Sequence, residues 1–309
     1  MRQLAPYALT CLLAIACTAL PSAHSRAAEA PLQVRIGYLG YRPDPGPVLS
    51  NIIAEPDDAG LRGAELAITD SNSTGRFLNQ SYHLQSASVV TPQALLDAAK
   101  VQHEQGLRLF VVNAPAASLR QLSAALPDSL LFNAGSPDDS LRSTDCLPNV
   151  LHSLPSRAML ADALGQFLVV RKWQRALLIV GPTADDQAYA AALRRAAKRF
   201  GVQLVAEKAW SFDNDQRRSA QADMPLFTQT AEYDVVLVAD ERGDFGEYVP
   251  YQTWYPRPVA GTQGLTPVGW HKTVETFGAA QLQKRFEGLA GRWMNDRDFA
   301  AWMAVRSIA

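Results

Sequence analysis

The feature that most constrains this chain is an alternation of short apolar runs with helix-length amphipathic segments, beginning at "LQVRIGYLGY" (Leu32 to Tyr41). That run is rich in β-branched and aromatic residues and ends at "RPDPGP", which continues no regular element, so it reads as a strand followed by a loop. The next segment places Leu61, Ala64, Ala67 and Ile68 on one helical face and should stop at Gly75. "YHLQSASVV" returns as a strand. "TPQALLDAAKVQHEQG" then opens on a threonine N-cap with proline at the first helical position and closes at Gly106. "LRLFVVNA" is apolar on both faces, as central parallel strands are, and is followed by a short helix around Ser118 to Leu126 and the strand "SLLFNAG".

The pattern restarts near residue 150. A helix capped by Ser156 carries Leu160, Ala163, Leu164, Phe167 and Leu168 on one face. "RALLIVGP", a helix with Tyr189, Leu193, Ala196 and Phe200 on one side and Gly201 at its end, "VQLVAEKAW", "YDVVLVADE" and "RPVAGTQG" follow. Repeated βα units with apolar strands predict parallel sheets covered by helices, and the restart predicts two of them. The expected fold is α/β with two Rossmann-like, doubly wound lobes. The expected division is residues 31–150 and 259–309 in an N-terminal lobe and 151–258 in a C-terminal lobe.

The first residues have a separate logic. An early arginine, an apolar run from Ala8 to Leu20 and the small-residue triplet Ser25-Arg26-Ala27 predict a secretory signal peptide over residues 1–27, and hence a periplasmic protein. The apolar run is shorter than the ~20 residues needed to span a bilayer. With Cys11 and Cys17 removed, only Cys146 remains, which excludes an intramolecular disulfide in the mature protein and reads as a half-buried small hydrophobe. A net charge of −1 without a basic stripe argues against nucleic acid as a partner.

Signals for catalysis are missing. There is no nucleophile elbow, no Walker loop and no G-x-G-x-x-G after a strand, and the histidines have no metal-ligand spacing. No cofactor and no metal are expected. The sequence offers instead loops at the carboxyl ends of parallel strands, where open α/β sheets bind ligands. Tyr41 ends the first strand. "NAPAAS", with Ala117 and Ser118, follows the third strand, and "NAGSPDD", with Gly135 and Ser136, the fourth. Such loops present backbone N–H groups and helix N-termini, which favour a carboxylate or another acceptor. From the other half, Tyr189 and the strand-ending Asp240 and Glu241 are the candidate contacts, each also readable as packing or as a cap.

"RIGYLG" followed by "GLRGAELAITDSNSTGRFLNQSYHL" resembles the start of type I periplasmic solute-binding proteins, the leucine/isoleucine/valine-binding group of ABC importers. More narrowly, "LLFNAGSPDDSLRSTDCLPNVLHSLPSRAMLADALGQFL", "RRAAKRFGVQLVAEKAW" and "YVPYQTWYPRPVAGTQGLTP" resemble the substrate-binding proteins of PQQ-dependent alcohol dehydrogenase systems. The resemblance implies a periplasmic-binding-protein type I, or Venus-flytrap, fold that closes on a small-molecule ligand. It implies as partners an ABC permease in the inner membrane and a PQQ-dependent dehydrogenase. A sensor or accessory role beside that dehydrogenase is the alternative. Amino-acid binders place hydroxyl residues where this chain has Ala116 and Ala117, which points to a ligand that is not an amino acid. The chain also ends at "DFAAWMAVRSIA", inside a helix, where the family continues with further strands, so a truncated C-terminus is expected.

Overall fold

A computed structural model describes residues 30–43, 55–210 and 223–309. The signal peptide expected over residues 1–27 lies outside the described residues. Two parallel sheets are present. The first takes β1 (Leu32–Tyr41), β2 (Gln80–Val89), β3 (Leu109–Asn113), β4 (Leu130–Asn133) and β5 (Val150–His152) in the order β2-β1-β3-β4-β5. The second takes β6 (Arg175–Val180), β7 (Gln203–Ala209), β8 (Val235–Ala239) and β9 (Val259–Gly261) in the order β7-β6-β8-β9. Both are doubly wound, because the order reverses beside the first strand of each sheet.

Helices cover the first sheet on both faces. Against one face lie α1 (Leu61–Gly75) and, after the chain has returned from the second sheet, the helix ending at Ile308, burying Ile36, Tyr38 and Val111 with Ala64, Ala67, Ala301 and Val305. Against the other lie α2 (Pro92–Glu104) and α3 (Ala116–Ala125), where Leu39, Phe110 and Val112 meet Leu95, Leu119 and Leu122. Successive residues of β3 thus point to opposite cores, which is why its sequence reads as an unbroken apolar run. In the second sheet Leu178, Val180, Leu237 and Ala239 pack under α4 (Arg157–Arg171) and α5 (Ala184–Phe200). Leu177, Ile179, Val236 and Val238 pack under Trp210, Tyr233 and Phe245 on the other side.

Predicted helix ends hold in detail. Thr91 and Ser156 accept from the amides of Ala94 and Met159. Gly201 closes α5 in the left-handed conformation, at φ 70°. The arginines along α5 are paired rather than merely solvated: Arg195 and Arg199 reach Asp162 of α4, and Arg194 reaches Glu207 of β7.

Three expectations are corrected. Leu151 and His152 belong to the first sheet, since β5 pairs with β4. Val259–Gly261 belongs to the second, since β9 pairs with β8 from Val236 to Val238. The return to the first lobe therefore comes later, through the segment 262–278, and leads into α6 (Ala279–Ala290) and α7 (Asp296–Ile308). Strand membership is set by non-local pairing, which a three-residue run does not encode. Cys146 is exposed, not half-buried, because it sits in the turn between the helical turn 139–142 and β5.

The join between α1 and α7 is unusually close. A Cβ on Gly63 would stand 1.8 Å from the backbone oxygen of Asp298, so only glycine lets the two helices touch there. The fully buried Asp298 accepts from the amide of Gly60 and is held by Arg292, which also binds Asp58 before α1. The Asn295–Asp298 capping box starts α7 at this junction.

Candidate functional site

The carboxyl edges of the two sheets come together at Arg157. Its backbone N–H donates to Pro137 O (3.0 Å), in the loop after β4, while Asp139 of that loop accepts from the amide of Ala158 (2.9 Å). Its side chain turns to the other sheet, donating to both carboxylate oxygens of Glu241 (2.6 and 2.7 Å) beyond β8 and to Asp185 (2.8 Å) at the start of α5. Only 8% of that side chain is exposed. Burial would lower the Arg157 pKa, but the hydrogen bonds and charge of Glu241 raise it above the usual arginine value. One residue at the crossover from β5 to α4 thus binds the carboxyl edges of both sheets.

The sequence-predicted residues fall into two groups along these edges. In the first lobe Tyr41 packs against the cluster of Leu95 and Leu119. Ala117 is exposed and Ser118 buried in the first turn of α3, whose N-cap is Pro115 and makes no side-chain cap. Among the described residues, the N-cap of α3 therefore supplies no side-chain acceptor to the amides of its first turn. Gly135 and Ser136 are buried, and both of their amides already donate to Asn133 Oδ1 (3.2 and 2.8 Å), so the loop after β4 is folded on its own asparagine. Asn133 in turn meets His152, whose pKa burial pushes down.

In the second lobe Tyr189 is buried within the α4–α5 core, and burial together with the charge of Glu241 pushes its hydroxyl pKa up. Asp240 is buried, and its oxygens accept from the amides of Asp244 (2.9 Å), Phe245 (2.9 Å) and Gly246 (2.6 Å). Burial raises its pKa even against those three donors. Asp240 holds the turn after β8, and Glu241 holds Arg157.

Sequence reasoning missed the residues that close the first-lobe edge. Arg297, in the first turn of α7, donates from Nη1 to Asn113 Oδ1 (3.0 Å) and to Gly135 O (2.7 Å), and its Nε meets Glu55 Oε1 at 2.7 Å. Beside it lies a cavity of about 550 Å³ between the loop after β4, the two interlobe crossovers and the start of α7. Trp270 and Trp293 form part of its wall, with Leu160 entering from α4 of the second lobe. Trp270 is fixed by stacking on Phe299 (4.6 Å between centroids) and by donating its backbone N–H to Asp296 Oδ1 (2.7 Å). Burial raises the pKa of Asp296 despite that bond. Lone arginines and tryptophans far along the chain carry no local motif, so no sequence signal marked them. Among the described residues no group of three or more His, Cys, Asp and Glu side chains could hold a metal ion, and no helix is long and apolar enough to cross a membrane.

No protein-family model matches the chain, and no curated protein does. Solved structures do resemble it. A branched-chain amino acid ABC transporter periplasmic ligand-binding protein from Burkholderia xenovorans superposes with a TM-score of 0.69 at 16% identity, covering 89% of this chain and 76% of that one. An ABC transporter substrate-binding protein from Desulfitobacterium hafniense in complex with Leu gives 0.64 at 14%, covering 89% and 82%. A solute-binding protein from R. palustris in complex with benzoate gives 0.60 at 14%, covering 88% and 78%. At such identities the likeness shows the fold: two lobes of the periplasmic-binding-protein type I architecture.

Proposed function

We propose that this protein is the periplasmic solute-binding component of an ABC transport system, closing its two lobes over a small organic molecule and handing it to an inner-membrane permease. The observation that carries the reading is the convergence at Arg157, where Pro137 of one carboxyl edge and Glu241 of the other are held by one residue at a crossover. Ligands of doubly wound sheets bind at that edge, and a hinge beside two such edges lets closure bury a solute. Proteins of the same fold are described as holding Leu or benzoate, which supports a small-molecule ligand here. The long stretches that resemble substrate-binding proteins of PQQ-dependent alcohol dehydrogenase systems support the narrower placement beside alcohol oxidation.

In this reading the amides of Ala117 and Ser118 at the uncapped start of α3 receive an acceptor group on the ligand, and Ser136 and Tyr189 approach it from the two lobes. Glu241 and Asp240 shape the second edge rather than meet the solute, because their oxygens are taken. The test is a thermal-shift and tryptophan-fluorescence panel of amino acids, short alcohols, aldehydes, carboxylates and PQQ. One class should stabilise the protein, by about 2.7 kcal/mol at a hundred times its Kd, and shrink the radius of gyration in X-ray scattering. A flat response from folded protein would sink the reading.

A further inference from the structure

We propose that His152 is an acid-sensitive lock on the loop after β4: the neutral imidazole accepts a hydrogen bond from Asn133 and holds that loop in shape, and the imidazolium releases it. The geometry leaves the ring nitrogen at this contact one protonation state. Asn133 is fully buried, and its Oδ1 accepts from the amides of Gly135 (3.2 Å) and Ser136 (2.8 Å). Those two donors fix which end of the side-chain amide is oxygen, so the end facing His152 is Nδ2, which can only donate. Nδ2 stands 2.9 Å from His152 Nδ1 and also donates to Ser136 O (2.8 Å). His152 Nδ1 is therefore the acceptor and carries no proton. Asn133 and His152 are register partners in the β4–β5 pair, and Ser153 donates to Asn133 O from both its amide and its hydroxyl (3.1 Å each). The sheet itself holds the two side chains together.

Protonation would set one N–H against another at that contact. Either the imidazolium swings away and leaves a buried Asn133 hydrogen unpaired, or the asparagine amide turns over and gives up Gly135 and Ser136. The charged group facing the ring is Arg142 of the helical turn 139–142, with Asp139 beside it, while β4 presents the neutral Asn133. Arg142 donates to Leu154 O, and its Nη1 is buried without a hydrogen-bond partner. Burial first, and then the Arg142 charge, push the His152 pKa below its usual 6.5, against a hydrogen bond to the Leu141 backbone. The stability this site contributes is therefore complete above 6.5 and is lost as pH falls from there through the folded value. The locked loop reaches both lobes, since Gly135 O accepts from Arg297 and Pro137 O from the Arg157 N–H. Acid would loosen the first-lobe edge and its tie to the second lobe together. A resulting loss of solute affinity, through Ser136, rests on the solute-binding reading; the lock itself does not.

The experiment is an NMR titration of the full chain without added solute, from about pH 8 to about pH 5, the span in which histidine changes charge, on the wild type, His152→Asn and His152→Leu. At the upper end His152 Nδ1 should resonate as an unprotonated acceptor. As pH falls, the His152 ring, the Asn133 side-chain amide and the Gly135 and Ser136 amides should shift through one midpoint below 6.5. The protection factors of Gly135 and Ser136, corrected for intrinsic exchange, should drop at least tenfold across it. His152→Asn supplies an acceptor that cannot be protonated, so protection should stay high at both ends. His152→Leu supplies none, so protection should be low at both. A protonated Nδ1 at the upper end, a ring that stays neutral throughout, or a ring that titrates without moving Gly135 and Ser136 overturns the lock. So does a His152→Asn protein that keeps the wild-type pH response, which decides the matter if His152→Leu does not fold. A flat ligand panel would sink the solute-binding reading and leave these readouts unchanged.

Discussion

Arg297 Nη1 lies 2.7 Å from the carbonyl oxygen of Gly135, a residue 162 positions earlier, and so ties the first turn of α7 to the carboxyl edge of the first sheet. The same nitrogen donates to Asn113 Oδ1, and the Asn113 Nδ2 donates to Ala59 O and Tyr38 Oη. Three separated segments are thereby set around one guanidinium. Arg297→Met should cost about 1.5–3 kcal/mol, the range for hydrogen bonds to a charged group, read from the urea midpoint. Arg297→Lys should recover only part, because an ammonium on a flexible stem does not reproduce the planar fork.

Gly63→Ala tests the contact between α1 and α7. The added methyl would meet backbone, Asp298 O at 1.8 Å and its carbonyl carbon at 2.5 Å, so no rotamer change relieves it. α7 must move, which strains the Gly60–Asp298 hydrogen bond as well. Overpacking of this kind costs about 1–3 kcal/mol. The melting temperature should fall by several degrees, with faster amide exchange confined to α1 and residues 296–308. An unchanged melting temperature would show that the helices stand further apart than described.

How far the sequence disclosed this molecule follows from which interactions are local. β3 and β8 were legible because burial on both faces leaves an unbroken apolar run, and α2, α4 and α5 because Thr91, Ser156 and Gly201 act within one turn of their own helices. The pairing of β9 with β8 was not, because three residues contain no period that fixes a partner. The site was less legible still. A carboxylate at a strand end announces Glu241, but the arginine it meets is 84 residues away, and nothing near Arg157 in the sequence distinguishes it from the arginines of α5. The helix preference of "GLRGAELA" was local; the reason its second glycine is a glycine lies in Asp298.

Acid should loosen the α1–α7 junction before the sheets. Asp58 is partly buried, which alone would raise its pKa, but hydrogen bonds from Arg62 and Arg292 hold it below the usual aspartate value of 3.8. A depressed carboxyl contributes stability that is complete above the unfolded value and is lost as pH falls through the folded one. Asp58→Asn should therefore be less stable than wild type at pH 7 by about 1 kcal/mol, a figure discounted for solvent screening. The gap should close below pH 3.8. Asp296 has the opposite sign: burial raises its pKa, so its ionisation weakens the fold as pH rises above 3.8. Asp296→Asn, which keeps an acceptor for the Trp270 amide, should flatten that side of the pH–stability curve in denaturant titrations.

The Arg157–Glu241 pair separates a structural role for Glu241 from a ligand contact. Arg157 is almost wholly buried and Glu241 keeps 24% of its side chain exposed, so removing the carboxylate leaves a buried guanidinium with Asp185 as its one remaining carboxylate partner within salt-bridge reach among the described residues. Breaking such a pair from one side costs about 3–5 kcal/mol where both charges are buried, and the partial exposure of Glu241 puts Glu241→Gln near the lower end. The double variant Arg157→Met with Glu241→Met removes both charges and should lose less than either single change, because no unmatched charge remains. Chemical denaturation of the four proteins measures the coupling directly. If Glu241→Gln instead leaves the unfolding midpoint in place and weakens only solute binding, its carboxylate belongs to the ligand, and the interlobe edge must be held by the backbone bonds of Arg157 to Pro137 and of Ala158 to Asp139 alone.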